Sequence, residues 1–365
     1  MFLKPTHVFY LTFMNYSIQN LILLPHVLNT AARDIWISTL LSTVIALVAS
    51  ALLWIVEKSH PGMTLFDIFQ LRFSKSLQFP IFFALGLYLV LLCVITTAYL
   101  GQFVTIGFIQ ETPLWVVLLL FSFAIGYTLN KGIVALANLA GLLTFATIIS
   151  GSSMSFAVTG HRDISVFLPI LEHGFLPVLH GSALFMPMWV EMLFLGFLPR
   201  RGAGEKKWLK TYLWITFANL ILCLGHTIGP ISVFGIEQSQ NLNFPALSAV
   251  KVISLGFIDR FDIYGLMLMI FGSLIRVAMY AYLALAMFQA GLGRKPSLTS
   301  SYGGWIPVFT AVLLAIGSFA VFRNTTFFDL VIGQLLYVAT GLFVLLLLLY
   351  AALFLIERRG LASHL

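Results

Sequence analysis

Four polar residues lie close together in the middle of an apolar stretch near the amino terminus. They are Asn15, Tyr16, Ser17 and Gln19. An unwound helix at this point would free backbone amide and carbonyl groups that can hold the carboxylate and ammonium of a ligand. The alternative is a continuous helix whose polar side chains hydrogen-bond to a neighbouring helix. The sequence therefore predicts a candidate ligand site here and leaves helix packing open.

Two charged residues are also placed inside apolar segments. Glu191 follows Pro187 by about one helical turn, and Arg276 lies in the middle of a later segment. Charges at that depth in a membrane are costly and mark functional candidates. We expect Glu191 and Arg276 to pair. The alternative is that Glu191 reaches water at the cytoplasmic mouth, near Arg200 and Arg201.

Further candidates for ligand contact flank these positions. Some share a helix face at spacings of four residues, and others surround the proline before Glu191. An aromatic stripe of this kind is also typical of ordinary helix packing. These candidates are Tyr88, Thr96, Met186, Met188 and Tyr280.

Signatures of enzymes and metal sites are missing from the sequence. It contains no GxGxxG, HExxH or CxxC motif and no phosphate-binding lysine loop. His173 and His180 lie near Glu172, but histidines at loop edges more often bond to solvent or backbone. Cys93 and Cys223 lie within apolar stretches and are interpreted as small core residues. We expect no cofactor, no metal and no catalysis.

The composition sets the class of protein. Of 365 residues, 60% are hydrophobic and 9% are charged, whereas a soluble domain carries about 25% charged residues. The uninterrupted apolar runs fit membrane helices and not barrel strands. The net charge of +7 is spread in small groups between these runs, which indicates loops and not a nucleic-acid surface.

The apolar runs predict one all-α integral membrane domain over residues 1–365, with about ten transmembrane helices. A shorter apolar stretch, 244–257, is interpreted as a re-entrant or interfacial helix. The predicted spans lie near 7–30, 35–56, 79–107, 113–130, 133–158, 176–198, 211–234, 262–290, 305–322 and 328–356.

The distribution of Lys and Arg predicts the orientation. With ten spans, 14 of these residues fall on the side of both termini, 5 fall on the other side, and Arg276 lies inside a span. Because cytoplasmic loops carry the excess of positive charge, both termini are expected in the cytoplasm.

Interruptions occur at matching places in two five-span halves. The first span contains Asn15 to Ser17 and Pro25, and the sixth contains Pro177 and the Met186 to Met188 segment. Paired breaks of this kind are typical of a five-plus-five inverted repeat, the LeuT-like transporter fold, with a site at the membrane midplane. We therefore expect broken first and sixth helices and two halves that superpose.

Three segments together resemble one protein family. They are LLPHVLNTAARDIWIS at 23–38, FLPVLHGSALFMPMWVEMLFLGFLPR at 175–200, and the aromatic and proline-rich stretch with its following helix at 244–276. They are similar to the B subunits of bacterial spore germinant receptors, which belong to the amino acid/polyamine/organocation transporter superfamily. That family tends to have glycine where this chain has Asn15, Tyr16 and Ser17, so the pocket here is expected to be smaller or more polar.

The resemblance implies a sensor. Such a B subunit binds a small nutrient, often an amino acid, beside a larger membrane A subunit and a lipoprotein C subunit in the spore inner membrane. Two alternatives remain open from the sequence. One is an ion-coupled amino acid permease, and the other is a structural scaffold for membrane partners.

Overall fold

The computed structural model describes residues 2–158, 162–200, 205–251, 262–296, 302–322 and 324–362. Within these ranges the chain is helical and forms no strand beyond one isolated bridge between Leu3 and Arg200. A helix satisfies its own backbone hydrogen bonds, which is what an apolar segment needs inside a bilayer.

A long helix lies at each of the ten predicted segments. The first half contains α1 (Pro5–Ala31), α2 (Ile35–Ser59), α3 (Leu65–Arg72), α4 (Lys75–Gly107), α5 (Leu114–Leu129) and α6 (Ile133–Val158). The second half contains α7 (Leu176–Leu193), α8 (Glu205–Phe234), α9 (Ile236–Gln240), α10 (Pro245–Lys251), α11 (Asp262–Gly291), α12 (Ile306–Val321) and α13 (Thr325–Ala362). Helices α3, α9 and α10 are the short ones, and they follow the second long helix of each half.

Helices α1 and α2 double back on each other. A single 3₁₀ turn, Ala32–Asp34, joins them. On α1, Asn20 donates to Asn219 of α8 at 3.1 Å, and on α2 the hydroxyl of Ser50 lies 3.1 Å from that of Thr216, also on α8. Both helices therefore run beside the same part of α8, in opposite directions.

The helices are those of a membrane protein. By length and composition alone, six helical stretches can cross a bilayer, with α1 and α2 together as one of them. The count rises to seven if α5 and α6, which are bent by 120° at the break between them, are taken as one broken span. The number of crossings stays a prediction.

The helix packing repeats between the two halves. Helix α1 packs on α6 and α8, and its counterpart α7 packs on α13 and α2. Helix α4 packs on its counterpart α11, and α5 packs on its counterpart α12. Exchanging the halves maps these contacts onto one another, which is what an internal repeat requires.

The predicted breaks at Asn15 to Ser17 in the first span and at Met186 to Met188 in the sixth are wrong. Helix α1 is continuous through Asn15, Tyr16 and Ser17, and α7 is continuous through Pro187. The sixth span does change its helix type, but only at the 3₁₀ segment Phe194–Phe197. Inside α1 the Ser17 hydroxyl donates to the carbonyl of Phe13 at 2.9 Å, as in a regular helix.

The predicted interfacial helix at 244–257 is described in part. Helix α10 occupies Pro245–Lys251 and packs on α8 and α11. The remainder of that prediction, 252–257, lies outside the described residues.

Candidate functional site

A buried ion pair links α7 to α11. Nη2 of Arg276 lies 2.6 Å from Oε1 of Glu191, and Nη1 lies 2.8 Å from Oε2. The side chains are 1% and 0% exposed. Two parallel bonds of this kind match the planar fork of a guanidinium to a carboxylate.

Helix α1 completes the surroundings of this pair. The side-chain oxygen of Asn15 accepts from Nη1 of Arg276 at 2.6 Å, and its Nδ2 donates to Oε2 of Glu191 at 2.8 Å. The same Nδ2 lies 2.7 Å from the hydroxyl of Tyr280. Gln19, one turn further along α1, accepts from Nη2 of Arg276. Residues four apart share a helix face, so α1 presents both amides to the pair.

Helix α4 supplies the last acceptor. Oγ1 of Thr96 accepts from Nε of Arg276 at 3.0 Å, and the guanidinium lies 5.0 Å from the ring centre of Tyr280. With Asn15, Gln19 and Glu191, each of the five guanidinium N–H groups has an acceptor. Four helices, α1, α4, α7 and α11, are thereby joined through one side chain. We call this set of residues the polar centre: Asn15, Gln19, Thr96, Glu191, Arg276 and Tyr280.

Gly272 of α11 lets α1 and α11 lie close enough for Asn15 and Gln19 to reach Arg276. A Cβ atom at Gly272 would lie 2.6 Å from Cδ1 of Ile18 on α1. A side chain at this position would require the Ile18 side chain to move. Gly272 is one turn before Arg276, so the close contact lies beside the polar centre.

The energetics of the pair depend on its complete hydrogen bonding. Removing two charges from water costs several kcal/mol per ion, and their attraction offsets this only when the geometry is good and the other polar atoms are satisfied. Here the carboxylate accepts from Arg276 and Asn15, and the guanidinium is fully bonded. The pair is stable as a unit, whereas either charge alone would be uncompensated.

Five residues that the sequence offered as ligand contacts make none of these hydrogen bonds. The Tyr16 ring packs edge-on against Trp189, with the ring centres 6.0 Å apart. The Tyr88 ring stacks on Phe194, with the ring centres 6.1 Å apart. Ser17 bonds within its own helix, as described above. Met188 is buried and Met186 is partly buried; both belong to the apolar core of the protein.

Several buried polar atoms near the polar centre have no hydrogen-bond partner among the described residues. They are the hydroxyls of Tyr16, Tyr88 and Ser273 and the indole N–H of Trp189. Tyr16 adjoins Asn15 in the chain, and the Tyr88 ring stacks on Phe194, three residues after Glu191. Buried polar atoms are normally satisfied, so these are available to a ligand or to water. Sequence reasoning missed Trp189, whose only signal is its position two residues before Glu191.

The alternative placement of Glu191 beside Arg200 is wrong. Arg200 bonds to Glu57 at the end of α2 and to the hydroxyl of Tyr212 on α8. That hydroxyl in turn lies 2.7 Å from each carboxylate oxygen of Glu57. We call Glu57, Arg200 and Tyr212 the peripheral cluster.

The possible metal ligands are histidine, cysteine and carboxylate side chains. Across the part of the chain that the structure describes, no group of three His, Cys, Asp or Glu residues is placed to hold a metal ion. Glu172, one of the residues weighed for a metal, lies 3.2 Å from Arg33 instead.

Comparison with known proteins gives a family and two similar sequences. A family model described as a spore germination protein matches residues 3–324. Spore germination protein XB of Bacillus anthracis is 26% identical over 267 residues, which is 73% of this chain and 75% of that protein. Spore germination protein KB of Bacillus subtilis is 27% identical over 262 residues, 70% of this chain and 69% of that protein.

Solved structures show the fold. A crystal structure of the Eremococcus coleocola manganese transporter, in complex with an aromatic bis-isothiourea substituted compound, covers 96% of this chain and 77% of its own, with a TM-score of 0.58 and 13% sequence identity. A mutant of that transporter aligns with the same TM-score at 14% identity. The predicted all-α, LeuT-like transporter fold is thereby confirmed.

Proposed function

The chain belongs to the spore germination protein family, and from that premise we propose that it is the nutrient-sensing subunit of a germinant receptor. The observation that carries the proposal is the polar centre. It joins α1, α4, α7 and α11 through Arg276, so any molecule that alters the pair acts on four helices together.

The charges of the polar centre favour a zwitterionic ligand. Parting Glu191 from Arg276 without a replacement leaves an uncompensated buried charge, which costs about 3–5 kcal/mol. A carboxylate that takes the place of Glu191 on the guanidinium, together with an ammonium that pairs with Glu191, satisfies both charges. An amino acid carries both groups on one carbon, whereas a neutral sugar carries neither.

The buried polar atoms support the same ligand class. The hydroxyls of Tyr16 and Tyr88 and the indole of Trp189 are donors next to the pair and have no described protein partner. They can bond to the carboxylate of a ligand once it enters. Asn15 and Gln19, which already contact Arg276, are expected to exchange that contact for a ligand group.

Sensing follows from the closure of the site. Both charged side chains are almost fully buried, so a ligand reaches them only when helices move apart. A ligand that binds the opened form better shifts the population toward it. We expect this shift, and not flux of the ligand, to be the signal.

The remaining parts of the proposal concern topology and partners. We propose ten membrane crossings, both termini in the cytoplasm, and residence in the spore inner membrane. A larger membrane A subunit and a lipoprotein C subunit are the proposed partners.

The test uses spores whose only germinant receptor contains this chain. The twenty common L-amino acids are applied singly, and loss of optical density is recorded against concentration. The proposal expects a saturable response to at least one of them and no response to glucose. A response to glucose but to no amino acid would overturn the proposed ligand class.

An uptake assay separates the permease alternative. Proteoliposomes containing the purified chain are given the radiolabelled amino acid, with a sodium or proton gradient across the membrane. We expect binding without accumulation. Concentrative uptake that depends on the gradient would establish a permease, and neither binding nor uptake would favour a scaffold.

A further inference from the structure

A second site lies apart from the polar centre. A cavity of about 560 Å³ is lined by α1, α6, α8, α10 and α11, with one residue of α4. Its lining is mainly apolar and aromatic and includes Phe13, Phe103, Phe217 and Met269. None of the residues of the polar centre lines it.

Two glycines of α8 keep this cavity open. Gly225 and Gly229 form a GxxxG pattern, which normally brings two membrane helices into contact. Here an added Cβ at either position would meet no atom within 4 Å. Both line the cavity, so within the described structure the pattern provides space and not a helix contact.

The shape of the cavity decides what can fill it. Its lining on α8 runs from Trp214 to Pro230, a length of about 24 Å at the rise of an α-helix. The volume of about 560 Å³ is the space open to the centre of a water molecule. Dividing it by that length, and adding the radius of a water molecule on every side, gives a mean cross-section of about 50 Å². A helix about 10 Å across has a cross-section of about 80 Å². The cavity is narrower than a partner helix and wide enough for an extended hydrocarbon chain.

The cavity opens along the apolar outer face of α8. Trp214, Phe217 and Ile221 line it and are about half exposed. In a membrane protein these side chains meet lipid. A hydrocarbon chain can therefore enter from the bilayer without crossing water.

The described charge of the cavity lies at one end. Among its described lining residues, Arg162 is the one with a permanent charge. The backbone N–H of Asp163 donates to the carbonyl of Ser232 at 2.8 Å, which places Arg162 at the Pro230 end of α8. The Trp214 end is apolar. This layout matches an acyl chain with an anionic head group.

We propose that the cavity binds one acyl chain of an anionic membrane phospholipid, with its phosphate next to Arg162. The lipid would brace α1 against α8 and α11 from the side opposite the polar centre. This proposal does not depend on the nature of the nutrient ligand.

The test measures lipid that stays bound. The full chain is reconstituted in nanodiscs of phosphatidylglycerol or of phosphatidylcholine, extracted in mild detergent and analysed by native mass spectrometry. We expect one retained phosphatidylglycerol per chain and much less phosphatidylcholine. Wild-type protein that retains neither lipid would overturn the proposal.

Variants locate the bound lipid. Gly225→Leu and Gly229→Leu fill the cavity, and each is expected to reduce retained lipid at least about tenfold. Gly341→Leu on α13, where an added Cβ also meets nothing within 4 Å, is the matched control and should retain it. Ala218→Phe fills the same cavity without a glycine change and serves if the others fail to fold.

Two results would contradict the location. Equal retention in Gly229→Leu and Gly341→Leu would place the lipid elsewhere, and capture of a membrane protein in place of lipid would mean that the cavity receives a helix.

Arg162→Gln tests the charged end. It should keep a bound lipid but lose the preference for phosphatidylglycerol over phosphatidylcholine, and an unchanged preference would exclude Arg162 as the head-group contact.

Discussion

Two arginine–glutamate pairs in this protein have the same chemistry and different surroundings. Arg276 and Glu191 lie in the polar centre, where their side chains are 1% and 0% exposed. Arg200 and Glu57 lie in the peripheral cluster, where the exposed fractions are 8% and 17%. The first pair joins helices in the interior, and the second joins the ends of α2 and α7 and the start of α8.

The difference teaches that burial, and not the pair itself, sets what a mutation costs. Water reaches the peripheral cluster more readily than the polar centre, so a lost partner costs less there. The same burial underlies the proposed response to a ligand, because only matching charges can separate the pair.

The largest effect is expected from breaking the central pair. Arg276→Ala leaves the Glu191 carboxylate buried and uncompensated, so we expect a loss of about 3–5 kcal/mol in the free energy of unfolding. The check is equilibrium unfolding in SDS together with the yield of monodisperse detergent-purified protein.

The double variant Glu191→Leu with Arg276→Met is the control. It removes both charges and should recover a large part of that stability, because an apolar replacement of a buried pair is often neutral. A double variant less stable than Arg276→Ala would mean that the pair itself, and not the orphaned charge, determines stability.

A smaller effect is expected in the peripheral cluster. Arg200→Gln should cost about 1 kcal/mol, since the pair is partly exposed. Because Glu57 is 17% exposed, salt screens this pair more than the central one, so its difference from wild type should shrink in high salt more than that of Arg276→Ala. Unfolding curves at low and high salt check this, and a loss as large as that of Arg276→Ala would remove the distinction between the two pairs.

The smallest effect is expected at Ser17. Its hydroxyl bonds to the carbonyl of Phe13 in its own helix, so Ser17→Ala should change the unfolding free energy by less than about 1 kcal/mol. A shift of several kcal/mol in the same SDS titration would show that Ser17 has a partner that the fold does not reveal.

Much of the architecture could be predicted from sequence because the bilayer leaves few choices. Apolar runs long enough to span a bilayer predicted helices at nearly the observed bounds of α1, α4 and α11. The pairing of Glu191 with Arg276 was predictable because an intramembrane carboxylate needs a cation, and Arg276 was the one cation placed inside a span.

The local detail could not be predicted in the same way. Polar residues in an apolar run fit both an unwound helix and a continuous helix with bonds to its neighbours, and at Asn15 the second was correct. Whether a serine hydroxyl bonds to its own helix or to a neighbour depends on the packing, so Ser17 looked equivalent to Asn15. The stacking of Tyr88 on Phe194 depends on the register between α4 and α7, which no spacing reveals.

The most direct test of the polar centre as the ligand site compares Asn15→Ala with Ser17→Ala, two buried positions on one helix. The concentration of the activating amino acid that gives a half-maximal germination response is measured for each, with protein levels checked in spore membranes. Loss of a hydrogen bond to a charged group costs about 1.5–3 kcal/mol, so Asn15→Ala should raise that concentration about tenfold to a hundredfold. Ser17→Ala should leave it within about twofold. Equal shifts in the two variants, or an unchanged response in Asn15→Ala at normal protein levels, would contradict the account.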